Sequence, residues 1–199
     1  MEAHEASELI EGADEHETGE VNRQKNRSAL TISIFAMVLA ITSLGGSNAG
    51  KDITQENILA ANSYAFYQAK SIRQTMLKVA AADMELQILR EPAMNAAAKE
   101  AMQKKIEDYK KTIDRYESEP ETKEGKKELL ARAKEHEAVR DHAIRQDPWF
   151  DYAEGGLQIA IVLLSVSIIG SLPALYFAGL GLGLLGALSS LNGFFLFYG

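Results

Sequence analysis

Cysteine is absent from this sequence, which excludes a disulfide framework, a thiol nucleophile and a thiolate metal site. Positive charge is in short supply: 21 Lys and Arg stand against 28 Asp and Glu, for a net charge of −7. A nucleic-acid binder needs a basic footprint on the phosphate backbone, so that class of partner is excluded. Histidine is scarce as well. His4 and His16 lie among acids near the start, and His136 and His142 are six residues apart, about 600° of helical turn, which puts them on different faces. No metal or cofactor is expected. Neither a nucleophile elbow, a P-loop nor a dinucleotide fingerprint occurs, and the carboxylates are spread over charged surfaces, not paired in an apolar cleft. The chain is read as having no catalytic residues and as not being an enzyme.

The most informative absence is local. From Gly155 to Gly199 there is no Asp, Glu, Lys, Arg or His. Forty-five apolar helical residues would reach roughly 67 Å, about twice a ~30 Å hydrocarbon core. Gly170-Ser171-Leu172-Pro173 supplies a break where two spans need one, so a transmembrane hairpin is expected, with spans over 148–170 and 174–198. Ser28 to Gly50 is a second uncharged run, 23 residues long, and is read as the first span. Ser47-Asn48-Ala49 resembles a signal-peptide cleavage site, but the long acidic lead-in is atypical of signals, and an anchor is the preferred reading. Residues 1–27 form an acidic tail, expected to be disordered, that ends in a basic collar of Arg23, Lys25 and Arg27. By the positive-inside rule that collar places the N-terminus in the cytoplasm and the stretch after the first span outside it. Trp149, Phe150 and Tyr152 precede the second span, where amphipathic rings favour the headgroup layer.

Residues 51–147 are of different character, charged and rich in Ala, Glu, Lys and Gln. Pro92 and Pro120 divide them into three expected helices. Ala65, Ala69, Ile72, Met76 and Val79 in the first, and Met102, Ile106, Tyr109, Ile113 and Tyr116 in the second, recur at alternating spacings of four and three. That is the 3.5-residue repeat of a coiled-coil seam, which needs either the neighbouring helix or another protomer to cover it. The third helix is expected to open at Ser118-Glu119-Pro120-Glu121, a capping-box pattern, and the second span to restart at Asp147-Pro148. The fold class expected is all-α, an integral membrane protein of three transmembrane helices with a helical hairpin or three-helix excursion between the first and second.

Two groups of residues stand out as contact candidates. Gly179, Gly183 and Ala187 recur every four residues, and small residues so spaced let helix backbones approach closely in lipid. The approach could be between protomers or against the other spans of the same chain. Tyr64, Phe66, Tyr67, Gln68 and Lys70 form an aromatic and basic cluster, and residues 66, 69, 70 and 73 share one helical face. Packing against the third helix is the plain explanation, partner binding the sharper one.

The run Asn62-Ser63-Tyr64-Ala65-Phe66-Tyr67-Gln68-Ala69-Lys70 resembles the W-A-F-Y-Q-A-K signature of a bacterial membrane-protein family known as domain of unknown function 4337, with Tyr64 where the family has Trp. Asp151-Tyr152-Ala153-Glu154-Gly155-Gly156-Leu157-Gln158 is similar to the start of that family's second span. The resemblance implies a multi-pass protein of the bacterial inner membrane and supplies no activity. Together these readings lead to an oligomeric membrane scaffold or anchor whose partners are the lipid bilayer and either further copies or another membrane protein. Its alternatives are an accessory subunit of a larger membrane complex and, further off, a small oligomeric pore.

Overall fold

In a computed structural model of the chain, the backbone is described for residues 3–198 and the side chains for residue 23 and residues 25–198. The backbone of the acidic tail, expected to be disordered, belongs instead to a helix from Ala3 onward. Four helices follow in order: α1 (Ala3–Arg90), α2 (Ala96–Glu117), α3 (Lys126–Gly170) and α4 (Pro173–Phe195), with no strand among the described residues. Three of them contain stretches long and apolar enough to cross a membrane, within Lys25–Arg90, Lys126–Gly170 and Pro173–Phe195. The chain divides into two compact units, one of Met1–Lys51 with His142–Gly199 and the other of Asp52–Asp141.

In the first unit, small and polar side chains of α4 face an apolar centre supplied by α1 and α3. α4 buries Gly179, Gly183, Gly186, Ser190, Asn192 and Gly193 while exposing Leu184, Leu185, Leu188 and Leu191. From α3, Ala153, Leu157, Ala160 and Leu164 are fully buried, and Phe35 of α1 completes the centre. Thr42 and Ser190 share a buried hydroxyl hydrogen bond of 2.7 Å between α1 and α4. Gln146 Nε2 donates to the Gly193 carbonyl at 2.9 Å, and Ser189 Oγ to that of Trp149 at 2.8 Å.

Two helix boundaries expected inside this unit are not there. The first span, expected to end at Gly50, and the helix expected after it are one helix, since α1 continues through Gly45, Gly46 and Gly50. A side chain at Gly45 would lie 2.7 Å from the Phe150 ring and 2.8 Å from that of Phe194. These two rings pack edge to face at 4.9 Å, so Gly45 provides close approach and not a bend. Pro148 likewise does not restart a helix but lies inside α3. Proline costs a helix interior about 3 kcal/mol. Here Ala143 and Phe150, one on each side of it, are both buried, and that packing holds the axis through the lost hydrogen bond.

The second unit is a bundle of the 52–90 part of α1, α2 and the 126–141 part of α3. α2 starts at an Asn95 cap, whose Oδ1 accepts from Ala97 N at 2.9 Å, and turns Ile106 inward with Met102, Tyr109, Ile113 and Tyr116 half-buried. α1 does not use the stripe that the sequence favoured. Ala65, Ala69, Ile72, Met76 and Val79 are all exposed. The buried positions are Ala60, Ser63, Gln74 and Ala81, flanked by half-buried Tyr67, Leu77, Met84 and Ile88. The third helix opens at Lys126, not at Ser118. Ser118 caps the end of α2 instead, donating its hydroxyl to Glu128 Oε1 at 2.6 Å, while Glu119 N donates to Glu128 Oε2 at 3.2 Å. Gly125 closes this turn, because a Cβ there would lie 2.4 Å from Glu119 N.

Candidate interaction site

The helical bundle carries an open groove of about 330 Å³ between α1 and the start of α3. Its α1 wall is Phe66, Ala69, Lys70 and Arg73, the four positions whose spacing predicts a common face. Glu124, Leu129 and Arg132 form the opposite side. Phe66, 64% exposed, and Leu129 give the groove an apolar floor and lip, and three cations stand over it against one lining carboxylate.

Those cations differ in how tightly they are held. Lys70 is only 16% exposed at its side chain, sits 3.6 Å from Glu119 and 3.8 Å from Glu124, and lies 5.6 Å from the centre of the Tyr116 ring. It is a structural clamp on the α2–α3 turn as much as a surface charge. Arg132 donates to the Lys123 carbonyl at 3.2 Å. Arg73 is exposed and makes no ion pair among the described residues.

Behind the groove a polar network joins all three helices. Gln74 Nε2 donates to the Ile113 carbonyl and to Glu117 Oε2, each at 3.0 Å, and Gln74 Oε1 accepts from Lys126 Nζ at 2.9 Å. Lys126 also pairs with Glu117 at 3.1 Å and lies over the Tyr67 ring. Hydrogen bonds from Gln74 and then Lys126 hold the Glu117 carboxyl below the usual carboxylate range. The Ser118 hydroxyl does the same for Glu128. A buried glutamine with both ends satisfied costs little, and this one fixes the register of α1 against α2.

The predicted cluster is thus divided. Phe66 and Lys70 line the groove. Tyr67 packs inward under Lys126, and Tyr64 donates its hydroxyl to Glu137 Oε2 at 3.0 Å, a bond that raises the phenol's pKa. Gln68 is exposed on another face. Leu129, Arg132 and Glu124 join the groove from about sixty residues later, and no local spacing announces them. His136 pairs with Glu56 at 2.5 Å, and no group of three metal-ligating side chains occurs among the described residues.

In the other unit, Gly179 and Gly183 lie within the chain's own packing. A Cβ at Gly179 would meet Leu164 at 3.0 Å and the Ala160 carbonyl at 3.1 Å, and one at Gly183 would fall within the Phe35 ring. Ala187 is half-buried beside them. Gly156 and Gly186 bring α3 and α4 to near backbone contact, with a built Cβ on the former 3.5 Å from the latter's Cα.

The sequence matches a family model, Domain of unknown function (DUF4337), over residues 24–196. The chain belongs to that family. Comparison with curated proteins and with solved structures finds no match. The family description assigns no activity, so function rests on the geometry of the two units.

Proposed function

We propose that the chain is a non-enzymatic, multi-pass membrane protein that anchors an oligomeric scaffold and presents its helical bundle outside the bilayer. The observation that carries this reading is the inverted make-up of α4. Glycine, serine and asparagine fill the interior of α4, while leucine covers its outside. In water that arrangement would sacrifice the hydrophobic effect. In lipid, where tails are as apolar as leucine, association comes from close backbone packing and interhelical hydrogen bonds, and small or polar residues belong at the contact. The second unit is water-adapted, with charged pairs such as Glu107–Lys111 on its surface.

The basic collar before the first span supports a cytoplasmic N-terminus and an extracytoplasmic bundle at the bacterial inner membrane. With no native cysteine, single cysteines at Glu11 and Glu107 test this in intact cells. An impermeant thiol reagent should label position 107 and not 11, and the reverse pattern would invert the topology. A second reading, an accessory subunit of a larger membrane complex, draws on the cationic groove, whose Arg73 is left for an acidic partner. A purified chain that remains monomeric in native-lipid discs would favour that role over the scaffold.

A further inference from the structure

The exposed face of α1 in the bundle carries a second heptad stripe, distinct from the one buried against α2 and α3. Its d positions are Ile58, Ala65, Ile72, Val79 and Leu86, and its a positions Asn62, Ala69, Met76 and Asp83. Every one is exposed, and the five large side chains, Ile58, Ile72, Met76, Val79 and Leu86, are 49% to 66% accessible. Counted along the sequence, the same register passes through Leu30, Ile34, Met37, Ile41 and Leu44, each also exposed in its own unit. Those residues need no partner in lipid. The stripe from Ile58 to Leu86 does need one in water.

We propose that this stripe is the surface on which a second copy of the chain docks, α1 against α1 and running in the same direction. The inference rests on the membrane-scaffold reading and names its contact. A repeat of 3.5 residues keeps to one face only against another helix that supercoils with it, so the occupant is a helix. The flanks argue for a copy of the same helix. Of the nine positions beside the stripe, 59, 61, 66, 68, 73, 75, 80, 82 and 87, only Arg73 is charged. Coiled coils choose unlike partners by charges at such flanks, and a nearly neutral pair of flanks instead lets identical helices meet without repulsion. Asn62 is the only amide among the a positions, the residue type and placement that fix register between like chains. Asp83, the one charge in the stripe, accepts a bond from Gln87 of its own helix at 2.9 Å. Copies inserted in one bilayer with one topology present α1 in the same direction.

Size sets the conditions of the test. From Ile58 to Leu86 the axis rises about 42 Å, and a strip some 10 Å wide covers on the order of 400 Å² per copy, about half of what a standard interface buries on each side. Such a contact is weak in dilute solution and becomes effective when a membrane confines both partners.

The full-length chain in lipid vesicles, with single cysteines placed by Val79→Cys or Lys78→Cys, reads the contact directly. Lys78 is exposed but off the stripe. Mild oxidation should give roughly tenfold more covalent dimer at position 79 than at 78, because a and d positions face their counterparts across a parallel pair and the c position of residue 78 does not. Equal cross-linking at the two sites would overturn the proposal. A doubly substituted chain, Ile72→Glu with Val79→Glu, should run as a monomer at undiminished helicity, since both residues are exposed in the protomer. If the wild type is oligomeric and this variant keeps its size, the stripe is not the contact while the scaffold reading stands. If the wild type is itself monomeric in vesicles, both fail.

Discussion

Gly181 and Gly183 sit two residues apart on α4 and should respond to alanine with opposite signs. A Cβ at Gly181 meets nothing within 4 Å, and the residue is exposed. Alanine there gains helix propensity of up to about 1 kcal/mol and disturbs no packing. At Gly183 the same methyl enters the volume of the Phe35 ring, which is 4% exposed and wedged against Leu157 and Leu164. Overpacking of this kind costs about 1–3 kcal/mol, and the propensity gain offsets only part of it. The propensity gain is common to both variants, so they differ by the overpacking cost, about 1–3 kcal/mol, and Gly183→Ala is expected to lose up to about 2 kcal/mol net. Phe35→Leu should relieve the clash. Because lipid replaces protein around a displaced ring at little hydrophobic cost, Phe35→Leu alone loses mainly packing contacts, about 1 kcal/mol. In a double-mutant cycle Gly183→Ala and Phe35→Leu should therefore couple by at least about 1 kcal/mol. Reversible unfolding in mixed micelles, followed by circular dichroism, measures all four chains. If Gly181→Ala and Gly183→Ala move the midpoint the same way by the same amount, Phe35 is not seated on Gly183 and the packing argument is wrong.

Four further outcomes are expected. Thr42→Val removes the hydrogen bond to Ser190 and should cost about 0.5–1 kcal/mol in the same micelle assay, since Ser190 can turn its hydroxyl back to its own helix. Ile106→Asp places a carboxylate in the bundle core at a site 7% exposed, at a cost of about 3–5 kcal/mol, and should abolish much of the bundle's helical signal. Stability should also fall with acid: the Glu117 and Glu128 carboxyls are held below their ordinary value of 4.5, so their contribution is complete above that pH and is lost as pH drops through the lowered folded values. Glu128→Gln should flatten that dependence in a denaturation series from pH 6 to 3. At the other extreme the raised Tyr64 phenol contributes below its ordinary 10.0 and is lost as pH climbs through its higher folded value, a limb that Tyr64→Phe should erase.

Much of the first unit was legible because its signals are local. Charge-free runs locate the apolar segments, and Gly170-Ser171-Leu172-Pro173 marks the break, where Ser171 adopts positive φ and Pro173 opens α4. What spacing could not settle was the meaning of glycine and proline inside a helix. Gly50 reads as the end of the first span, yet α1 runs on through it, and Gly45 in the same stretch is packed against Phe150 and Phe194, a hundred residues or more away. Pro148 reads as a start for a similar reason, and burial on both of its flanks overrides that reading. The groove was half legible: the shared face of 66, 69, 70 and 73 follows from helix geometry, whereas Leu129 and Arg132 arrive through the chain reversal at Gly125.

The choice of face on α1 shows where periodicity alone runs out. Its sequence carries two stripes of the same 3.5-residue repeat on opposite sides. The stripe through Ala65, Ile72, Met76 and Val79 is cleaner in composition, and by hydrophobicity it should be the buried one. The stripe through Ser63, Tyr67, Gln74 and Ala81 is mixed, and it faces the bundle. The difference lies in what each can do with α2 and α3. Gln74 can satisfy both ends of its amide only with the Ile113 carbonyl, Glu117 and Lys126, and Tyr67 can lie beneath Lys126, while Ser63 returns its hydroxyl to Leu59 at 2.9 Å. Small Ala60 and Ala81 admit the neighbouring helices closely. The side chains of Ala65, Ile72, Met76 and Val79 would pack in the same place without fixing any register against α2 and α3. A helix whose satisfied polar groups are turned inward and whose better hydrophobic seam is turned outward has kept its stronger adhesive for a partner, so the wrong choice of face made from the sequence and the proposed docking surface follow from the same residues.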